Sequence, residues 1–74
     1  MTLEQTLINH QYVVTDIREG VALQRLLDYG LHRGAVIRIR AKSVDRMRAL
    51  IELNGRTLIL HRCHMELIEV AGRD

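Results

Sequence analysis

Residues 21–34, VALQRLLDYGLHRG, decide the fold because a helix signal and a helix-stop signal meet in them. Apolar side chains recur there at three- and four-residue spacing with polar residues between them, which is typical of one helix face. Gly30 stands where a left-handed helix end favours a residue without Cβ, so that Leu31 can fold back onto the helix. The stretch predicts a short amphipathic helix over residues 21–29. The leucines on its apolar face are Leu23, Leu26 and Leu27.

Strand patterns flank this helix on both sides. Runs that are rich in β-branched residues, or that alternate between apolar and polar side chains, predict five short strands. These strands cover residues 12–17, 35–41, 49–53, 56–60 and 67–70. The buried face of the second strand is expected to carry Ala35, Ile37, Ile39 and Ala41. Asn54 and Gly55, between the third and fourth strands, predict a two-residue hairpin turn because both residues tolerate positive φ.

The remaining residues predict connections and chain ends. Residues 1–10 are expected to form a lead-in that packs on the domain. Its apolar side chains are Leu3, Leu7 and Ile8. Residues 42–48 and 61–66 are expected to be polar connections, and residues 71–74 a frayed tail. Five short strands in 74 residues favour a single domain, mostly β, whose sheet closes or nearly closes into a small barrel and so removes exposed edges.

The composition excludes several classes of protein. One cysteine is too few for a disulfide scaffold, and no apolar run approaches the roughly twenty residues of a membrane-spanning helix. No secretory signal pattern opens the chain, so we expect a soluble protein of the reducing cytoplasm. So small a domain leaves little room for a catalytic cleft, and its glycines form neither a P-loop nor a dinucleotide fingerprint. Cys63 and His64 are adjacent and seldom aim at one another, so no catalytic residue is predicted.

Positive charge is concentrated in the middle of the chain. From Arg33 to Arg48 there are six basic residues and one acidic residue, a net charge of +5 against +2 for the whole sequence. Such a stripe attracts phosphate backbones or an acidic partner, or it is simply the solvated face of strands. Because base-stacking aromatic residues are missing nearby, nucleic-acid binding is the weaker alternative.

Soft and borderline metal ligands are concentrated at His61, Cys63 and His64. Imidazole and thiolate suit zinc and other late first-row metals, which need about four ligands in tetrahedral geometry. These three residues cannot close such a site alone, so His10, His32 or a second molecule would have to contribute. The alternative is a polar turn in which Cys63 is a small filler. A divalent transition metal is therefore an open candidate cofactor, and no cofactor is required.

Two apolar residues are expected on the outward faces of their strands. Alternation turns Val36 and Leu50 away from the core, and Met47 lies close by in the sequence. An apolar patch ringed by arginine is typical of an interface with a partner or with a second copy of the chain. The alternatives are ordinary surface content and cover by the lead-in. The oligomeric state is left open.

The helix, glycine, turn and strand of this block resemble a known family. Residues 21–34 are similar to the RRLLDLGLTPG signature of the FeoA family of ferrous iron transport proteins, and the resemblance continues through residues 35–40, 55–60 and 67–70. The FeoA-like domain that ends the DtxR group of metal-dependent regulators shares the block. The resemblance implies an SH3-like β-barrel with a helix inserted after the first strand. It also implies a non-enzymatic cytoplasmic accessory of the ferrous iron transporter FeoB, which acts by protein contact and meets the membrane only through that transporter.

The chain departs from the family pattern at two turns. Arg33 stands where relatives usually have proline before the glycine, and residues 44–48 replace a Pro-Leu-Gly-Asp-Pro-like loop. The chain has no proline at all. We expect the partner surface on the helix and on the arginine-rich stretch that ends at the second departure. The residues predicted to form it are Leu26, Leu27, Tyr29, Leu31, Arg33, Arg38, Arg40 and Met47.

Overall fold

The strands and the first helix follow one another in the predicted order. A computed structural model describes residues 1–20 and 23–73. In chain order these form a 3₁₀ turn at Leu3–Gln5, β1 at Gln11–Ile17, α1 at Leu23–Asp28, β2 at Val36–Lys42, β3 at Arg48–Leu53, β4 at Arg56–His61, α2 at Arg62–Met65 and β5 at Ile68–Gly72. Within these ranges no helix has the length and apolar character needed to cross a lipid bilayer.

All five strands pair antiparallel in one sheet of order β4-β3-β2-β1-β5. The start of the chain covers the far side of β5, because Thr2 bridges Glu69 and the Val70 N–H donates to the Met1 carbonyl over 2.8 Å. In the described part of the chain β4 has only β3 beside it, so strand pairing does not close the sheet. The predicted five-stranded, mostly β fold is confirmed, as a barrel-like sheet with a seam beside β4.

α2 and two side chains hold the lead-in against the rest of the barrel. α2 packs against β4 and the 3₁₀ turn, and its Met65 side chain is buried. The Lys42 ammonium donates to the carbonyls of Glu4, over 3.3 Å, and Thr6. An Arg62 guanidinium nitrogen lies 3.5 Å from the Glu4 carboxylate. Burial disfavours the charged ammonium and so lowers the pKa of Lys42. The lead-in is therefore fastened to the barrel by polar contacts.

The inside–outside alternation of β2 changes at a bulge. Ile39 pairs with Ile51, but the next pair joins Ala41 to Leu50, so β2 has one residue more than β3 at this point. Ala41 is exposed in consequence, and its predicted place on the buried face is wrong. The other residues predicted for that face are buried, namely Ala35, Ile37 and Ile39.

The chain connections and ends require three corrections. Residues 61–66 contain α2, because the Met65 side chain packs into the core and draws the segment into a helical turn. Residues 71–72 belong to β5, where Gly72 pairs with Tyr12, so the predicted tail begins too early. In the lead-in Leu3 is fully buried as expected, but two apolar residues predicted to be available for packing are exposed. These are Leu7 and Ile8.

The hairpin between β3 and β4 is confirmed. Asn54 and Gly55 have φ angles of 53° and 78°, as a two-residue turn with two left-handed positions requires. Val21, Ala22 and Asp74 lie outside the described residues, so the predicted start of the helix is untested. The helix ends at Asp28, one residue before its predicted end.

Candidate partner-binding surface

α1 ends in a glycine cap that fixes which of its leucines are buried. Gly30 has a φ of 96°, and its N–H donates to the Leu27 carbonyl over 2.9 Å. The Leu31 N–H donates to the Leu26 carbonyl over 3.0 Å. These two bonds satisfy carbonyls at the helix end and turn the chain back. Leu26 and Leu31 both enter the core, whereas Leu27 stays 40% exposed.

A groove of about 290 Å³ lies beside α1, between the helix, the end of β1 and the turn that follows the helix. We call it the helix groove. Apolar and charged side chains both line it. They are Ile17, Leu23 and Leu27, with Asp16, Glu19 and Arg33. Tyr29, which is 39% exposed, directly follows the helix. The groove is suited to an apolar side chain of a partner, with polar groups at its rim.

One wall of the helix groove is an ion pair. The Arg33 guanidinium donates to Asp16 Oδ1 from Nη2 over 2.9 Å and from Nε over 3.3 Å. The Ile17 N–H donates to the same oxygen over 2.9 Å. The Arg33 hydrogen bond, followed by that of Ile17, lowers the pKa of Asp16 below its ordinary value of 3.8. Asp16 is therefore ionised and paired at neutral pH. Arg33, the first departure from the family pattern, ties the turn after the helix to β1.

The eight predicted partner residues divide by burial. Leu26 and Leu31 are fully buried, so they cannot touch a partner, and their assignment to the partner surface is wrong. Their spacing reflects packing of the helix on the core. The other six are exposed or half-buried, and they are Leu27, Tyr29, Arg33, Arg38, Arg40 and Met47.

Arg38 and Arg40 lie on the outward face of β2, where both make contacts within the chain. Arg38 Nη1 donates to the Asn9 carbonyl over 2.7 Å. Arg40 forms an ion pair with Glu52, with 2.7 Å between Nη2 and Oε2. The structure thus divides the predicted partner surface between the helix groove and the outward face of the sheet.

The loop between β2 and β3 is ordered by its own polar groups. Asp45 Oδ1 accepts hydrogen bonds from the Ser43 hydroxyl over 2.6 Å and from the Met47 N–H over 3.0 Å. These bonds, the Ser43 bond first, lower the pKa of Asp45. Arg46 adopts a left-handed φ of 59°. The loop therefore holds a defined shape without proline, and it leaves Val44 and Met47 exposed.

A second apolar surface crosses the outward faces of β2, β3 and β4. The register places Ala41 beside Leu50 and Leu50 beside Ile59. A shallow pocket of about 240 Å³ includes all three in its lining. Ile59 is 64% exposed, and Leu50 is half-buried. We call these three residues the apolar row.

Sequence reasoning found this surface only in part. Leu50 is predicted to face outward, as is Val36, and both are half-buried in the structure. Ile59 was missed, although strict alternation through residues 58–60 would have turned it outward between two inward leucines. Ala41 faces outward because of the bulge in β2, and no motif in the sequence predicts a bulge at that point.

The predicted metal ligands are near one another but do not form a site. His61 ends β4, and its ring meets the His64 ring edge to face with 6.5 Å between their centroids. Cys63 lies on α2 as an exposed free thiol. Across residues 1–20 and 23–73, no three His, Cys, Asp or Glu side chains are grouped so that they could hold a metal ion. A site that a second molecule completes stays a prediction.

Comparison with known proteins identifies both a family and a fold. The FeoA domain model matches residues 1–72 of the chain. No curated protein matches the sequence significantly.

Solved structures of similar shape include FeoA proteins and a metal-dependent repressor. A FeoA-like protein from Clostridium acetobutylicum is 25% identical and superposes with a TM-score of 0.90, covering 97% of this chain and 85% of its own. FeoA from Stenotrophomonas maltophilia in complex with zinc, described as a prokaryotic SH3 domain protein, is 21% identical with a TM-score of 0.85, covering 96% and 89%. The manganese-activated repressor ScaR is 22% identical with a TM-score of 0.84, covering 95% of this chain and 34% of its own. The predicted SH3-like fold is confirmed.

Proposed function

The chain belongs to the FeoA family, and from that premise we propose that it is a small cytoplasmic accessory protein of ferrous iron uptake. In this proposal it acts by binding the cytoplasmic domain of a FeoB-type transporter and not by catalysis. The observation that carries the proposal is the family match over residues 1–72. FeoA from S. maltophilia, which has been proposed as an activating factor of ferrous iron transport, shares this fold and is consistent with the same role.

The helix groove is the surface that we assign to this contact. Leu27 is exposed although it directly follows the buried Leu26, and Leu23 and Ile17 extend the apolar lining on either side of it. Exposed aliphatic side chains in a concave surface gain the most from burial against a partner. The arginine in the lining is already paired with Asp16, so it offers little attraction to an acidic side chain of the partner.

A binding titration tests the proposal. The purified chain is titrated with the cytoplasmic domain of the transporter, and we expect a saturable complex. Leu27→Asp places a charge in the helix groove and should weaken binding by about tenfold or more, since about 1.4 kcal/mol corresponds to a factor of ten. Ile8→Asp changes an aliphatic residue of similar exposure in the lead-in and serves as the matched control, with affinity close to that of wild type.

Two results would overturn parts of this proposal. Absence of binding by wild type, under conditions in which a close relative binds its own transporter, removes the adaptor role. Equal affinities of Leu27→Asp and Ile8→Asp leave the role standing but move the contact away from the helix groove.

A further inference from the structure

The pairing of β3 with β4 determines which backbone groups of β4 face away from the sheet. The two-residue turn at residues 54–55 makes Leu53 and Arg56 a hydrogen-bonded pair, and such pairs alternate with non-bonded pairs along an antiparallel ladder. The bond from the Arg62 N–H to the Met47 carbonyl, 2.7 Å long, continues the same alternation beyond the strand. Every second residue of β4 therefore directs its N–H and C=O away from β3. These residues are Thr57, Ile59 and His61.

β4 is the sheet edge that the described chain leaves without a neighbouring strand. At the opposite edge, Thr2 and Met1 run along β5 through the bridge to Glu69 and the bond to the Val70 N–H. Among residues 1–20 and 23–73 no strand pairs with the far side of β4. An exposed edge with free backbone groups is a template for an added strand.

The side chains of this edge suit an added strand with an apolar centre. Residues 57–60 carry no charge. Ile59, 64% exposed, ends the apolar row at the edge itself, so a strand added beside β4 would extend the row by one position. Cross-strand contact with Leu50 on one side and a new apolar residue on the other would cover the Ile59 side chain.

The charges at the two ends of the edge favour acidic groups in the added strand. Arg56 begins β4, and Arg48 lies opposite His61, the last residue of β4. Both arginines are exposed. Neither forms an ion pair within the described residues. Glu52 is the one acidic residue in β2, β3 and β4 and is already bound to Arg40, while Asp45 in the adjoining loop attracts Arg48 without forming an ion pair. With one cationic side chain near each end, the edge is complementary to a segment that has acidic residues at its ends.

A second copy of the chain is a poorer occupant of this edge. A second copy would bring the same two arginines, Arg48 and Arg56, to the edge, and its one acidic residue in β2, β3 and β4 is already bound to Arg40. Like charges at the ends of an exposed strand disfavour pairing between copies and are a common defence against self-association.

We propose that β4 is a docking edge, at which an extended segment of the transporter's cytoplasmic domain, apolar at its centre and acidic at its ends, adds as a sixth strand. The inference rests on the proposed function, because that domain supplies the segment. Backbone hydrogen bonds to Thr57, Ile59 and His61 supply affinity, and Ile59 together with the flanking arginines supplies selectivity.

Substitution of Thr57 tests the edge directly. Thr57→Pro removes an outward-facing N–H without removing a bond to β3, and edge positions of this kind tolerate proline. We expect the affinity for the transporter's cytoplasmic domain to fall by about five- to tenfold, as for the loss of one interfacial hydrogen bond with some distortion of the edge. Thr57→Val, which keeps the N–H, is the matched control and should bind like wild type.

Amide hydrogen exchange of the wild-type complex is the second measurement, and it does not depend on how Thr57→Pro folds. The amides of Thr57, Ile59 and His61 should exchange about tenfold or more slowly when the domain is bound, because they become hydrogen-bonded. Equal binding by Thr57→Pro and Thr57→Val, or unchanged exchange at these amides, overturns the docking edge and leaves the proposed function intact. A wild-type dimer in sedimentation that Thr57→Pro dissociates would assign the edge to a second copy and overturn the inference. No binding by wild type overturns the proposed function and this inference with it.

Discussion

The helix groove and the apolar row both expose aliphatic side chains, but they hold the neighbouring charges differently. In the helix groove Arg33 is paired with Asp16 over 2.9 Å. Beside the apolar row Arg48 and Arg56 form no ion pair within the described residues. A paired arginine has little to gain from a partner, whereas an unpaired one can steer and select an acidic partner. The difference suggests that one surface selects by shape and the other by charge.

The largest expected effect concerns the two adjacent leucines of α1, on which the helix groove depends. Leu26→Ala empties a fully buried position and should lower the free energy of unfolding by about 2–5 kcal/mol. Leu27→Ala, at a position 40% exposed, should cost about 1 kcal/mol or less. Urea denaturation of both variants measures the contrast. Similar losses of unfolding free energy in the two variants would mean that Leu27 is packed in the core. The helix groove would then lack an exposed leucine that a partner could contact.

The second effect concerns the glycine cap of α1, which determines which of the two leucines is buried. Gly30→Ala forces a residue with Cβ into a φ of 96° and brings that Cβ to 3.4 Å from Leu53, so we expect a loss of about 1–2 kcal/mol. Gly20→Ala is the control, since Gly20 has no positive φ and nothing lies within 4 Å of an added Cβ. Thermal unfolding of both variants checks the difference. If Gly30→Ala proves as stable as Gly20→Ala, the left-handed cap does not hold the turn beside the helix groove.

The third effect tests whether the unpaired arginine contributes more to binding than the paired one. Arg48→Gln should weaken binding to the transporter's cytoplasmic domain by about threefold at low salt and reduce its salt dependence, as for one partly exposed ionic contact. Arg33→Gln should change that salt dependence less, because Arg33 is already paired with Asp16. Titrations at two ionic strengths compare the variants. Equal salt sensitivity of both would contradict the assignment of charge selection to the side of the apolar row.

The smallest effect is a pH dependence on the side of the helix groove. The pKa of Asp16 is lowered in the folded chain, so its carboxylate stabilises the fold above the ordinary pKa of 3.8, and that contribution is lost as the pH falls through the lowered value. Asp16→Asn removes the contribution, and its urea midpoint should therefore decline less steeply in acid than that of wild type. Because the pair is exposed, the difference should be small. Parallel curves for the two proteins would show that the pair with Arg33 does not persist in solution.

Local patterns predicted those parts of the fold that local physics determines. Alternation correctly turned Leu50 to the outward face of β3, and Gly30 marked the helix end. α2 was missed because four residues are too few to display helical periodicity. Only the structure shows that this helix places Met65 in the core.

The candidate surfaces were predicted less well because they depend on residues that are distant in sequence. The pair of Asp16 with Arg33 spans seventeen positions and requires the end of β1 to lie beside the turn after α1. The apolar row requires the mutual register of β2, β3 and β4. Leu26 and Leu27 share one apolar helix pattern, and only the packed structure separates the core residue from the surface one.

The bulge in β2 shifts the inside–outside alternation of the strand by one residue. This shift has two consequences that cannot be separated. In an unbroken strand Ala41 would point inward and Lys42 toward solvent. With one extra residue, Ala41 joins Leu50 and Ile59 outside, while Lys42 pairs with the buried Ala49 and reaches the carbonyls of the lead-in. Deleting a single residue of the bulge would therefore break the bonds from Lys42 to the lead-in and break up the apolar row in the same step. A binding surface on one side of the strand and the attachment of the lead-in on the other are set by the same insertion.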